Sequence, residues 1–192
     1  MQVAGALCWL GQRYPHRRRL LLSGVTALLF FELLPVPRVL YSAAVPRIYR
    51  HIAAAPADVR VLELPFGIRD VTSSAGRFTA RSQFYQTVHG RPLLGGYLSR
   101  VSRRRLSEIR RYEMLDAFII LSEGRQIPAA REAQLVERGP AFATRARLGF
   151  VVIDRPRTPA ALRDFAVQAL RLHQIEKDGD VELYRPLGEV AP

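Results

Sequence analysis

The sequence predicts a mixed fold, α/β or α+β, in which an N-terminal transmembrane helix precedes a small layered domain whose short sheet is flanked by helices. Three observations predict it. An apolar run, LLLSGVTALLFFELL, follows a cluster of arginines. Two apolar, β-branched segments, VRVLELP at 59–65 and GFVVID at 149–154, read as buried strands. Between and after them lie segments with apolar residues at helical spacing, and the order strand, helices, strand, helix, hairpin builds a layered domain.

The 192 residues leave room for one domain with a real core and an extra segment, and the 48% hydrophobic content fits that size. Residues 1–37 read as the membrane segment. Arg13, His16, Arg17, Arg18 and Arg19 stand directly before the apolar run at 20–34, and a shorter apolar stretch at 3–10 precedes them. Arg-rich short loops stay in the cytoplasm, so the chain beyond Pro37 is expected on the extracytoplasmic side of the cell (inner) membrane, with the lipid bilayer as a partner. From Leu20 to Val36 the run reaches the lower end of the roughly 17 to 25 residues that a spanning helix needs. Glu32 then belongs at the interface or against a partner helix, and Pro35 and Pro37 stop the helix. Two other readings fit the same residues. One is a cleaved secretory signal, with Ser42, Ala43 and Ala44 as the cleavage region; the other is a buried core helix. Cys8 is the only cysteine, which excludes an intramolecular disulfide and an all-cysteine metal site.

A formal charge of +12 would ordinarily raise nucleic acid as a partner. Its distribution argues against a specific one. The arginines are scattered through every expected element, Lys177 is the only lysine, and no zinc-finger, basic-zipper or aromatic-basic RNA-binding motif accompanies them.

Residues 38–57 read as an exit linker, carrying Pro46 and Pro56, with a short helix at 46–55 that has proline at its start. The α/β domain occupies 58–192. Its first strand, 59–64, is bounded by Asp58 and Pro65, and residues 68–76 are polar and glycine-containing, hence a loop. Phe78, Arg81, Phe84, Tyr85 and Val88 recur at helical spacing, so 77–89 is an amphipathic helix closed by Gly90. Residues 103–121 form a further helix through Leu106, Ile109 and Leu115, although 117–121 also fits a strand. Pro128 opens a helix to Arg138, and a turn or short helix follows at 142–148. The strand at 149–154 leads through a turn at 155–158 into the helix at 159–172, PAALRDFAVQALRL, with its apolar face at Leu162, Phe165, Ala166, Ala169 and Leu170. Segments 175–177 and 181–185 flank Asp178-Gly179, a hairpin signal.

Catalytic signatures are mostly missing: there is no Gly-x-Ser-x-Gly elbow, His-Glu-x-x-His pair or phosphate-binding Gly-Lys run. No cofactor is implied, and no catalytic residue is assigned. The densest polar and aromatic stretch is 85–100, YQTVHGRPLLGGYLSR. His89 lies four residues after Tyr85, on the same helix face, and reads either as a hydrogen-bonded structural histidine or as a base or metal ligand. Glu63 sits inside an apolar strand. If buried, it must find a partner, with Arg100, Arg91 and His89 as candidates; if its strand position faces out, it needs none. Gly95-Gly96 reads as a tight turn or as a place where a ligand approaches the backbone. Tyr85, Gln86, Tyr97 and Arg100 complete the candidate binding set, placing hydrogen-bonding groups beside aromatic faces. Such a set suits a sugar or polar head group, and equally a satisfied polar network.

VLELPFG followed by YQTVHGRPLLGGYLSR resembles the C-terminal extracytoplasmic part of bacterial polytopic membrane glycosyltransferases, those related to the GT-C and family 39 enzymes. FELLPVPRVLYSAAVPRIYRHIA looks like their last membrane helix and exit linker, and GFVVID with VELYRP looks like the end of the same module. The resemblance covers nearly the whole chain. It implies a membrane-anchored accessory domain that contacts a glycan or polyprenyl-phosphate sugar beside a polytopic partner. That family places its catalytic acid in an early extracytoplasmic loop, and no residue here matches it. The resemblance therefore implies a truncated or separately encoded piece without complete transferase activity. An independent enzyme using Glu63 and His89 as acid and base, or a structural domain without ligand, are the competing expectations.

Overall fold

The computed structural model describes Trp9 and residues 12–33, 44–98 and 102–187. The chain divides into two compact units, Met1–Ala43 and Ala44–Pro192. In the first, a 3-10 turn, Pro15–Arg17, leads into helix α1, Arg18–Leu33. Leu20, Leu22, Leu28, Leu29, Phe30, Phe31 and Leu33 are all exposed on it. Sixteen residues at 1.5 Å each span about 24 Å, short of the roughly 30 Å hydrocarbon core. Among the described residues no helix is long and apolar enough to cross a membrane. The expected span at 20–36 is thus a shorter helix where it is described, and residues 34–36 lie outside the described residues.

The second unit is a mixed α/β domain. Its elements are α2 (Ile48–Ala53), β1 (Arg60–Leu64), β2 (Gly67–Arg69), β3 (Ser74–Gly76), α3 (Ala80–His89), β4 (Leu93–Leu94), β5 (Gly96–Tyr97), α4 (Arg103–Arg110), α5 (Glu113–Ser122), α6 (Ala129–Arg145), β6 (Leu148–Asp154), α7 (Ala160–Ala169), β7 (Leu172–Asp178) and β8 (Val181–Pro186). Two sheets are present among the described residues. The larger has the order β4-β1-β6-β8-β7, and the smaller β3-β2-β5. Strands β4, β1 and β6 run parallel, whereas β8 is antiparallel to both β6 and β7. The hairpin expected around residue 179 closes the larger sheet, with Gly179 at φ 58 in its turn.

Side chains alternate between the two faces of this sheet. On one face Val61, Phe150, Val152 and Leu183 pack with Ile48, Tyr49 and Ile52 of α2. On the other, Leu62, Leu64, Val151 and Ile153 pack with Phe118 of α5, Leu135 of α6 and Phe165 of α7. The chain leaves β1 through α3 to β4 on one flank, then returns through α4, α5 and α6 to β6 on the other. Strands β1 and β6 are therefore the pair at which the winding reverses, with Glu63 opposite Val152 and Leu64 opposite Ile153.

Local chemistry explains where the elements begin and end. The Thr79 side chain accepts from the Arg81 amide and caps α3, and Gly90, at φ 65, closes it. The segment at 68–76, expected as a loop, instead contributes β2 and β3. The Asp70 carboxylate accepts from the amides of Thr72 and Ser73 and tightens their connection. The single helix expected over 103–121 is two, α4 and α5, because Tyr112 adopts an extended conformation between them. Residues 117–121 are helical, not a strand. Conversely, α6 runs unbroken to Arg145, past Pro140. Its buried Leu135, Gly139 and Ala143 recur every four residues across the proline, so packing carries the helix through a residue that normally stops it.

Candidate functional site

Sheet alternation puts Glu63 of β1 and Asp154 of β6 on the same face as Val61, Phe150 and Val152, the face covered by α2 and α3. Both acids stand at the C-terminal ends of their strands. In open α/β sheets, ligands bind outside the strand C-termini where the winding reverses. The apolar rows thus turn acidic at the edge where a crevice is expected.

Burial pushes the Glu63 carboxyl up to about 7, and the negative charge of Asp154 adds to that push. The hydroxyls of Ser82 and Tyr49 interact with the carboxylate and oppose it. Its Oε1 is enclosed without a hydrogen-bond partner, although the residue as a whole is only half-buried. Tyr49, on α2, has a phenol pushed upward by burial and by Glu63. Its ring stacks on Tyr85 at 4.3 Å between centroids and lies 5.9 Å from the ring of His89. Asp154 is raised by burial against the opposing charges of Arg157 and Arg81.

Of the residues expected from the sequence, the structure brings Glu63, Tyr85 and His89 together around Tyr49. The partners expected for Glu63 are otherwise engaged. The Arg91 guanidinium donates through Nη2 to the carbonyls of Ala53 (2.7 Å) and Ala55, closing the C-terminal end of α2. His89 accepts from the Arg91 amide through Nδ1 at 3.0 Å, which leaves the proton on Nε2. Burial and Arg91 hold its pKa down to about 4, so the ring is neutral. Among the described residues no hydrogen bond joins Glu63 to His89. Arg100 lies outside the described residues.

The other candidate residues make the following contacts. Gln86 donates to the Arg91 carbonyl at 3.2 Å, and Gln83 to the Tyr97 carbonyl at 2.8 Å, so both fix the loop against α3. Gly95 and Gly96, at φ 86 and 127, carry the chain from β4 in the larger sheet to β5 in the smaller. A Cβ at Gly95 would stand 2.7 Å from both the Phe66 ring and the Gly67 carbonyl oxygen. The pair is a turn with a close backbone approach. Tyr97 faces outward, 37% exposed.

A second buried acid, Glu182, shows a saturated counterpart. It accepts from the Tyr184 hydroxyl at 2.9 Å and pairs with Arg155 at 3.2 Å and Lys177 at 3.7 Å. No group of three or more His, Cys, Asp or Glu capable of holding a metal ion occurs among the described residues.

Sequence reasoning missed Tyr49, Ser82 and Asp154. The signal for Asp154 was present: an acid ending an unbroken apolar strand sits at the edge where parallel strands open to ligand. Ser82 and Tyr49 carried no such signal, since their roles depend on how α2 and α3 dock. No protein-family model, curated protein or solved structure matches this chain.

Proposed function

We propose that this chain is a membrane-anchored accessory domain of a glycosyltransferase-like membrane protein. Its α/β unit stands on the extracytoplasmic side of the inner membrane, beside a polytopic partner, and contacts a glycan or polyprenyl-phosphate sugar. The observation that carries this reading is α1, whose leucine and phenylalanine side chains stand exposed behind a run of arginines. Exposed apolar surface on this scale is unfavourable in water and favourable in lipid. Phe84 and Val88, one turn apart on α3 and both exposed, supply apolar surface for a partner on the folded unit.

A reporter fused after Pro192 tests the topology: an extracytoplasmic signal is expected, and a cytoplasmic one overturns it. Calorimetry with polyprenyl-phosphate sugars tests the glycan contact, and an absence of heat across the series removes it. An independent enzyme using Glu63 and His89 is the second reading, favoured by their approach to one tyrosine from one face. It requires substrate to reach a carboxyl that Tyr49 and Ser82 cover, each 2% exposed, so the accessory reading accounts for more of the site.

A further inference from the structure

We infer that the groove on the outer face of α4 binds a phosphate monoester, with the phosphate held by the Arg105 and Arg111 guanidinium groups and the esterified group laid against Tyr112 and Ile109. The inference goes beyond the glycan contact and does not rest on it, since a different part of the fold carries it.

The groove exists because α4 and α5 are two helices and not one. Arg105, Glu108 and Ile109, spaced by three and then one, share one face of α4. The extended Tyr112 then breaks the helix, and its ring is 64% exposed. Together with Arg111, these residues line an open groove of about 490 Å³, within the roughly 300 to 1,000 Å³ of small-molecule sites. Ile109 is half-buried against the core and the other four are exposed, so a ligand reaches the groove without any opening of the fold.

The ion pairs of this region single out two arginines. Arg104 donates to Glu108 at 3.2 Å and neutralises the one acid among the lining residues. Arg110 lies 3.6 Å from Asp116 and 4.0 Å from Glu123, which ties α4 to α5. The Arg105 and Arg111 side chains make no ion pair among the described residues, so they bring two uncompensated positive charges to one groove.

That charge count selects the ligand class. A carboxylate or a phosphate diester carries a single negative charge and would neutralise only one arginine. A phosphate monoester carries about −1.5 to −2 near neutral pH and presents three acceptor oxygens, so one group satisfies both guanidinium forks. Inorganic phosphate would use the arginines alone. The exposed ring of Tyr112 and the half-buried Ile109 offer apolar surface to a substituent, which favours an ester. A lipid phosphate and a soluble organic phosphate supply the same chemistry.

The test uses the full chain in micelles of a non-ionic, phosphate-free detergent, with phenyl phosphate, inorganic phosphate and benzoate as probes. Calorimetry should give tighter binding for phenyl phosphate than for either of the others. Arg105→Gln and Arg111→Gln should each weaken phenyl phosphate about tenfold, the loss expected for one charge-assisted hydrogen bond. Tyr112→Ala should weaken phenyl phosphate and leave inorganic phosphate unchanged. Arg145→Gln, at an exposed site on α6, removes the same charge outside the groove and should change nothing. All four positions are exposed, so the variants should fold as the native chain does. Phosphatidic acid added to the micelles identifies the source: displacement of phenyl phosphate assigns the groove to a lipid phosphate, and undiminished binding assigns it to a soluble ester. Absence of phenyl phosphate binding overturns the inference. So does benzoate binding as tightly as phenyl phosphate, or an equal loss in Arg145→Gln.

Discussion

Tyr49 stacks on Tyr85 with ring centroids 4.3 Å apart, and that contact clasps α2 to α3 above the end of β1. The clasp covers Glu63, so its hydroxyl and its ring act differently. Tyr49→Phe keeps the stack and removes only the hydroxyl, which should cost about 1 kcal/mol and raise the Glu63 midpoint further. Tyr49→Ala removes the stack and leaves a cavity in the core beneath it, at a cost of about 3 to 5 kcal/mol. Urea unfolding of the two variants separates these contributions, and equal losses would show that the stack contributes nothing.

Stability should respond to pH through two opposed groups. Glu63 titrates near 7 in the folded chain against about 4.5 when exposed, so its contribution is full below 4.5 and is lost as pH rises toward 7. His89 falls from 6.5 to about 4, so its contribution is full above 6.5 and is lost as pH drops toward 4. The two slopes oppose each other between pH 4.5 and 6.5. Glu63→Gln should leave stability rising with pH over that interval, and His89→Gln should leave it falling. Urea midpoints measured across the interval check this, and slopes of the same sign in the two variants would rule the assignment out.

Gly95→Ala should be strongly destabilising. At φ 86 a side chain is strained, and the new Cβ would meet the Phe66 ring and the Gly67 carbonyl oxygen at 2.7 Å each. Together these cost about 2 kcal/mol or more, because overpacking adds to backbone strain. Gly90→Ala carries a similar positive φ of 65 but meets nothing within 4 Å, so its loss should be smaller. Thermal unfolding of the pair isolates the steric part; equal shifts would mean the close approach has no energetic consequence.

The sheet-forming segments were legible because their apolar runs are continuous. GFVVID lies within the strand Leu148–Asp154, and the helix after Pro159 starts within a residue of where the pattern put it but ends at Ala169, with Leu172 opening β7 instead of closing the helix. The failures have physical causes. Residues 68–76 look like loop because β2 and β3 are only three residues each, paired with one another across a short turn, and β2 gains its other partner, β5, only from residues 96–97. The helix expected to end at Arg138 continues past Pro140 to Arg145, because Gly139 packs against the backbone of Ala169 on α7. At the site, Glu63, Tyr85 and His89 were legible as unusual residues. Their meeting point was not, because Tyr49 reaches them from a helix that the sequence joins to a linker.

Membrane anchoring through α1 is most directly tested by alkaline-carbonate extraction of membranes carrying the full chain, alongside a Phe30→Asp, Phe31→Asp double variant. The native chain should stay in the membrane pellet, and the variant should move largely to the supernatant. Release of the native chain into the supernatant would contradict the anchoring, and with it the accessory role beside a membrane partner.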